Sequence, residues 1–360
     1  MKFKFNTVAL REAISIAARA NAAQSTMKAY QEVCFDIANK KAIIRALNGE
    51  MGISTFIEEI NGESGKLSIE TKAILPIVSK LTGEETTLEK KENQLIIRSG
   101  KARFTLTLSE NADAFPTISM DTSIGEFDID SNLLVSMFKG TIFCADTNNS
   151  QALMRSVNFK ITNGVLTLVC LDGHRVAKRN AEVTAKDVEC NIPVSAVKAL
   201  LSFVKKGNVA IKIGKNYASF KTVNGEIVTR LTDGKFFNIE NIVNVAKTVS
   251  VQINRRDLLE TIERATLISD LINNVPVILT FVDDGINVSA KSKLSDMDEM
   301  VSCNIQKPDW EKLGVNPRYL VDLLKEIGDE TITLEFTSAK APVFVTGDEY
   351  IYLVLPVNIR

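Results

Sequence analysis

One segment is written three times along the chain, and that repetition limits what it can fold into. Phe3-Lys4-Phe5-Asn6-Thr7-Val8-Ala9-Leu10, followed by Ala13 and Ile14, returns 124 residues later as Phe127-Asp128-Ile129 with Leu134, Met137 and Phe138. A further 124 residues on it reads Val251-Gln252-Ile253 with Leu258, Thr261 and Ile262. Each copy predicts a short alternating strand, a polar turn residue (Asn6, Asp130, Asn254) and an amphipathic helix with apolar residues near a period of 3.6. A chain of 360 residues has room for two or three domains, and the repeat selects three, at 1–122, 123–246 and 247–360.

A second helix recurs in register. Ile74, Ile77, Val78 and Leu81 correspond to Val197, Leu200, Leu201 and Val204, and then to Leu320, Leu323, Leu324 and Ile327. The windows 69–81, 192–206 and 315–327 are therefore expected to be helical, with Pro76 as a kink or early stop in the first. Between the helices lie strand-like runs: Glu32 to Ile37, Ala42 to Leu47 and Ile53 to Ile60 in the first repeat, with Asn48-Gly49 as a divider. Val157 to Ile161 and Val165 to Cys170 flank Asn163-Gly164, and Val277 to Val282 and Ile286 to Ala290 flank Asp283-Asp284-Gly285. Leu95 to Leu106 reads as a hairpin turning at Ser99-Gly100. Two helices with narrow apolar stripes on one face of a largely antiparallel sheet make an α+β domain, three times over.

Composition excludes more than it selects. No run approaches a membrane span, and Met1-Lys2-Phe3-Lys4-Phe5 alternates like a strand rather than a signal peptide. The five cysteines at 34, 144, 170, 190 and 303 form no Cys-x-x-Cys pair, so reduced core thiols in a cytoplasmic protein are expected, with no metal and no cofactor. Net charge is −1, yet the helical windows 7–20, 69–81, 130–143, 192–206, 254–268 and 315–327 together carry +5 and leave −6 to the rest. Cationic helices on an acidic frame suit a polyanion, although chance lysines on solvated helix faces give the same count. The cluster is Lys198, Lys205 and Lys206.

Four segments carry a resemblance to a family. Leu171-Asp172-Gly173-His174-Arg175-Val176-Ala177 resembles a recurrent segment of bacterial sliding clamps, the β subunit of DNA polymerase III. Asp113-Ala114-Phe115-Pro116 and Asp233-Gly234-Lys235-Phe236 resemble the closing segments of the first two clamp domains, and Tyr352-Leu353-Val354-Leu355-Pro356-Val357 looks like the clamp C-terminus. The likeness spans the whole chain in order and spacing.

The resemblance implies a head-to-tail homodimer whose six similar domains close into a ring around double-stranded DNA, with helices lining the hole. It implies a processivity factor, not an enzyme, holding DNA without reading its sequence. Lys72, Lys198, Lys205 and Lys206 are the expected DNA contacts. The expected dimer interface joins Lys101, Arg103, Phe104 and Leu106 to Leu267, Ile268, Asp296, Asp298 and Glu299. The expected partner-peptide groove consists of Met154, Leu171, Gly173, His174, Arg175, Val176, Phe237, Asn241, Ile242, Asn316, Tyr319, Leu353, Val354, Leu355, Pro356 and Val357. There the replicative polymerase, a clamp loader and repair proteins would insert a short linear motif, with Asn316 and Arg175 offering hydrogen bonds at the rim.

Some positions depart from the family pattern. Phe237 stands where clamps usually carry proline and Asn241 where many carry arginine. Gln24-Ser25-Thr26-Met27-Lys28 lacks the usual arginine and proline. A rival reading is a nucleotide-acting enzyme of three α+β repeats, with His174, the only histidine, between Asp172 and Arg175. No phosphate-cradling glycine loop, metal-ligand cluster or nucleophile motif accompanies it.

Overall fold

The structure is a computed structural model that describes residues 1–110, 112–269, 276–305 and 312–359. The described residues hold seven α-helices: α1 (Thr7–Ala17), α2 (Thr71–Ser79), α3 (Ser131–Ile142), α4 (Val194–Leu201), α5 (Glu240–Val243), α6 (Arg255–Ser269) and α7 (Pro317–Glu326). The repeated polar turn residues begin the first helix of each repeat. Asn6 Oδ1 accepts from the Ala9 amide at 3.0 Å, Asp130 Oδ1 from Asn132 at 2.9 Å and Asn254 Oδ1 from Arg256 at 2.9 Å. Each cap satisfies an amide that the helix itself cannot.

The second helices are shorter than their apolar periodicity. α2 starts at Thr71 because the strand Gly65–Glu70 runs directly into it, and it stops at Ser79, three residues beyond Pro76. α4 starts after the strand Val188–Pro193 and stops at Leu201. Ser202 donates to the Ala199 carbonyl from both its amide (3.2 Å) and its hydroxyl (2.6 Å), which tightens the last turn and ends the helix. Lys205 and Lys206 thus stand in the turn leading to the strand Asn208–Gly214, not on the helix.

The strands follow one plan in every repeat: a three-strand meander after the first helix, and a second meander after the second helix. The first meanders are Glu32–Ala38, Lys41–Leu47, Met51–Ile57; then Ser156–Thr162, Val165–Leu171, Arg175–Glu182; then Val277–Val282, Gly285–Lys291, Asp296–Ser302. Asn163 and Gly164, with φ of 52° and 76°, turn the second-repeat hairpin in the two-residue form that suits right-twisted strands. In the first repeat Asn39 and Lys40 take that place, at φ of 51° and 61°. Asn48-Gly49 serves the following turn, where Asn48 Oδ1 accepts from Met51 at 3.0 Å.

The third strand of each first meander seeks the last strand of the next repeat. Met51–Ile57 pairs antiparallel with Gly225–Arg230, fusing the sheets of repeats one and two. Arg175–Glu182 pairs antiparallel with Tyr350–Val354, fusing repeats two and three. The chain therefore divides into two compact bodies that cut across the repeats: Met1–Val135 with Thr184–Thr232, and Ser136–Val183 with Asp233–Arg360. The first is built on the sheet from Ser123–Asp130 to Gly65–Glu70, and the second on the sheet through Tyr350–Val354 to Val249–Asn254.

By the same plan, Ala102–Thr107, the last strand of repeat one, and Asp296–Ser302, the third strand of repeat three, are left at sheet edges. Each has a neighbour on one side only among the described residues.

Helix faces close over the sheets as the stripes predict. The equivalent leucines Leu10, Leu134 and Leu258 are all fully buried. Thr55 Oγ1, from the strand beneath α1, donates to the Ala13 carbonyl at 3.1 Å. All five cysteines are free, and four are buried. Burial pushes the Cys34 thiol up to about 11 and the Cys190 thiol to about 12, so both are neutral core groups at physiological pH. No described helix is long and apolar enough to cross a membrane.

Leu10→Ala in the first body and Leu258→Ala in the second should each cost about 2–5 kcal/mol. The readout is the urea midpoint of the corresponding unfolding transition. Val8→Ala, at an exposed position of α1, should stay within about 0.5 kcal/mol of the parent. Equal effects at positions 8 and 10 would break the assigned helix orientation.

Candidate functional site

Asp172-Gly173-His174-Arg175 forms a tight turn between the strands Val165–Leu171 and Arg175–Glu182. Gly173 supplies a φ of +86°, which an L side chain rarely adopts. Asp172 Oδ1 accepts from the amides of His174 (2.9 Å) and Arg175 (3.0 Å), while Oδ2 accepts from Arg175 Nε at 2.9 Å. The carboxylate is thereby spent on the turn and on the guanidinium.

Arg175 is the fixed centre of this region. Its Nη1 donates to Asp322 Oδ2 on α7 at 2.6 Å and its Nη2 to the Phe143 carbonyl at 2.7 Å. The guanidinium also lies over the Tyr319 ring, 4.5 Å from its centroid. Burial works against its charge, but the carboxylates of Asp322 and Asp172 help to outweigh this and keep it firmly protonated. With its residue only 9% exposed and its fork engaged on both sides, Arg175 is not the rim donor that the sequence reading assigned. It ties repeat two to repeat three within the second body.

His174 is exposed and stacks on Tyr319, with ring centroids 6.2 Å apart and planes at 22°. Its carbonyl accepts from the Leu355 amide at 2.8 Å, and Val357 donates to the Gly314 carbonyl at 2.9 Å. The C-terminal segment is thus laced along the edge of the apolar surface. Asn316 caps α7, accepting from the Arg318 amide at 3.1 Å, so its side-chain oxygen is engaged as well.

The apolar surface has a buried floor and an open rim. Leu171, Val176 and Leu353 belong to the floor together with Val169, Phe236, Ile239, Val243 and Phe344. Met154 and Leu355 pack partly buried against it. Phe237, Ile242 and Val357 stand out at 36%, 43% and 38% exposure, and Phe237 meets Phe236 edge-on at 5.4 Å. Gly173 and Asn241 are exposed and Pro356 is half-buried. Val354 departs from the expectation: strand alternation sends it away from Leu353, and it is fully buried outside this cluster. Val169, Phe236, Ile239, Val243 and Phe344 were missed as floor residues. The four-residue spacing of Ile239 and Val243 around the short helix α5 was the available signal.

The other predicted residues fall elsewhere. Lys72 on α2, Lys198 on α4 and the turn residues Lys205 and Lys206 are all exposed in the first body, and Lys205 Nζ lies 3.2 Å from Glu12 Oε2. On the edge strand of repeat one, Arg103 and Phe104 are exposed and Leu106 half-buried, with Lys101 exposed at the turn before it. On the edge of repeat three, Leu267 is 67% exposed and Ile268 half-buried. The acidic run there is not one surface. Asp296 and Asp298 are exposed, Asp298 accepting from Asn287 Nδ2 at 2.9 Å. Glu299 turns to α6, accepting from Thr261 Oγ1 at 3.0 Å and Arg264 Nε at 2.8 Å. The Arg264 guanidinium holds its carboxyl below the ordinary value. Among the described residues, no group of three or more His, Cys, Asp or Glu is placed to hold a metal.

Known proteins carry the same architecture. The chain matches the N-terminal, central and C-terminal domains of the DNA polymerase III beta subunit over residues 1–119, 128–238 and 244–357. It is 24% identical over 376 residues to the beta sliding clamp of Streptococcus pneumoniae R6, covering 99% of both chains. A putative DNA polymerase III beta subunit from Eubacterium rectale superposes with a TM-score of 0.91 at 27% identity over the whole of both chains. The Pseudomonas aeruginosa sliding clamp bound to griselimycin superposes with a TM-score of 0.92 at 20% identity, also over the whole of both.

Arg175→Ala should destabilise the second body by about 3 kcal/mol, because it leaves Asp172 and the partly exposed Asp322 without their counter-charge. Arg175→Lys should recover only part of that loss, since an ammonium cannot span both carboxylates and the Phe143 carbonyl. Urea unfolding of the three proteins checks this, and full recovery by lysine would remove the fork from the argument.

Proposed function

Since the chain belongs to the DNA polymerase III beta subunit family and so serves as a sliding clamp, a processivity factor for DNA polymerase, we propose that it works as a head-to-tail homodimeric ring. The three repeats at 1–122, 123–246 and 247–360 are then the clamp domains. The observation that carries the ring is the pair of leftover strands. Two of the three possible joins between a third strand and a following last strand are made within the chain. The third join needs Asp296–Ser302 of one protomer and Ala102–Thr107 of its partner. Unpaired edges of this kind either invite pairing or must be blunted.

The side chains support the same seam. Lys101 and Arg103 on one edge face a charge complement in Asp296 and Asp298 on the other. Leu267, unusually exposed for a leucine, can be covered by the cavity of about 310 Å³ beside Phe104, which is lined by Pro76, Ile77, Leu81 and Ala102. Glu299 contributes less, being neutralised by Arg264 in its own chain.

Within the ring, cationic helix faces hold duplex DNA through its phosphates, without regard to sequence. The second body's apolar surface receives a short peptide from the replicative polymerase, a clamp loader or a repair protein. Phe237, Ile242 and Val357 at the rim would take its apolar anchors, over a floor kept rigid by Arg175. A surface already formed imposes little ordering cost on the receptor side. The related Pseudomonas aeruginosa clamp binds griselimycin, which shows that a clamp of this fold takes a ligand. The protein acts in the cytoplasm and has no turnover of its own. Against the nucleotide-enzyme reading stands the engagement of Asp172: its oxygens accept from the His174 and Arg175 amides and from Arg175 Nε, so it does not orient the imidazole as a catalytic base.

Solution mass combined with retention on DNA tests the ring. A dimer that stays on circular DNA and leaves linearised DNA is expected, and a monomer that treats both alike would refute it. Leu267→Asp should raise the dimer dissociation constant at least about tenfold, because a charge replaces an apolar seam residue. For the groove, Ile242→Asp should weaken binding of a polymerase-derived peptide by about tenfold or more while leaving the dimer intact. Unchanged peptide affinity would move the peptide site elsewhere.

A further inference from the structure

Two cations stand beside the apolar surface of the second body without a partner. Met154, packed against the floor, is followed by Arg155, the last residue of the short 3-10 turn Ala152–Arg155. Phe236 of the floor and Phe237 of the rim are preceded by Lys235. Gly234 brings the two segments together. Its φ of +114° lets the chain turn beside Leu153, whose Cδ1 lies 3.5 Å from where a Cβ would stand. Arg155 and Lys235 are both exposed, and neither has an ion-pair partner among the described residues.

The nearby carboxylates, by contrast, are committed within the chain. Asp172 is held by its own turn and by Arg175, and Asp322 by Arg175. Glu240 on α5 accepts from Asn244 Nδ2 at 2.8 Å and lies 3.5 Å from Lys178 Nζ. Asp146, in the loop after α3, accepts from the Asn148 amide at 3.1 Å and from Asn149 Nδ2 at 3.0 Å. Asp233, next to Gly234, is engaged as well. The charge left unanswered at this end of the surface is therefore positive.

We propose that Arg155 and Lys235 select among peptides, favouring a segment with acidic residues beside its apolar anchors. The inference rests on the groove reading and names the chemistry of the partner that the groove prefers. An apolar floor takes leucine-like or aromatic anchors from many sequences and discriminates little among them. Exposed cations at its border add the missing discrimination, because they attract acidic flanks and repel basic ones. An ion pair that stays hydrated adds little holding energy, so the effect falls mainly on the rate of encounter and on the rejection of basic segments. A peptide suits the place better than a nucleic acid backbone does. The cations border exposed Phe237 and the apolar floor, which a phosphodiester chain has no side chains to fill.

The test uses the intact protein and a polymerase-derived peptide in two versions, with glutamates or with lysines flanking the same apolar anchors. At about 50 mM salt the glutamate version should bind roughly threefold to tenfold more tightly, chiefly through faster association, and the preference should shrink by about 200 mM. Arg155→Glu combined with Lys235→Glu should reverse the preference, and the two glutamine replacements should abolish it without reversal. Both positions are exposed, so the urea midpoint should not move. Ile242→Asp reports on the groove itself and should weaken both versions. If it weakens both and the parent protein shows no preference between them, charge selection fails and the groove stands. If the preference survives the double charge reversal, other residues set it and the assignment to Arg155 and Lys235 is overturned. If Ile242→Asp weakens neither version, the peptide binds elsewhere and both readings fall.

Discussion

The hydrogen bonds at sheet edges organise this chain more than any single core. A strand presents donors and acceptors on both sides, and an edge strand leaves one side to water or to another strand. Here every repeat offers the same two edges, one at the third strand of its first meander and one at its last strand. Consecutive repeats join them, so the sheet of one runs on into the sheet of the next. The compact bodies are consequently not the repeats. Each contains a fused sheet, a smaller sheet and helices of two repeats, and a repeat boundary such as residues 121–123 falls inside a body.

That arrangement separates two kinds of work. The sheets are held by backbone pairing and buried side chains such as Leu88, Ile211 and Leu334, which leaves helix surfaces free to vary in charge. The same freedom permits Lys72, Lys198 and Arg19 to stand exposed at no cost to packing. In the second body, fusion of repeats two and three brings Arg175 of one against Asp322 and Tyr319 of the other. A guanidinium committed to two carboxylates, a carbonyl and a ring holds the apolar surface beside it in one shape. Its burial is tolerated because each of the three guanidinium nitrogens has an acceptor, two of them carboxylates.

Much of this was legible in the sequence, for identifiable reasons. The threefold repeat, the capping residues Asn6, Asp130 and Asn254, and the Asn163-Gly164 hairpin are local signals, and each is read by short-range chemistry. What could not be read was long-range. The apolar period of 192–206 continues past Leu201, but Ser202 ends the helix and carries Lys205 and Lys206 off it. Arg175 looked like a rim donor because its partners, Phe143 and Asp322, lie far away in sequence. Glu299 looked like part of an acidic edge because nothing local announces Arg264 as its partner. Val354 and Leu353 are neighbours that strand alternation sends to opposite faces, and the sequence alone does not say which of the two joins the apolar cluster under α5.

Identity of about 20–27% to clamps of similar structure becomes intelligible on these terms. Edge pairing is made by backbone groups and does not depend on side-chain identity, provided length and alternation are kept. A substitution on the sheet must preserve only a face, whereas one at the Asp172-Gly173-His174-Arg175 turn must preserve a positive φ at Gly173 and a planar fork at Arg175. The architecture therefore tolerates sequence drift over most of its length and resists it at a few points. Those points are where repeats meet, because there a single side chain must satisfy partners from two repeats at once.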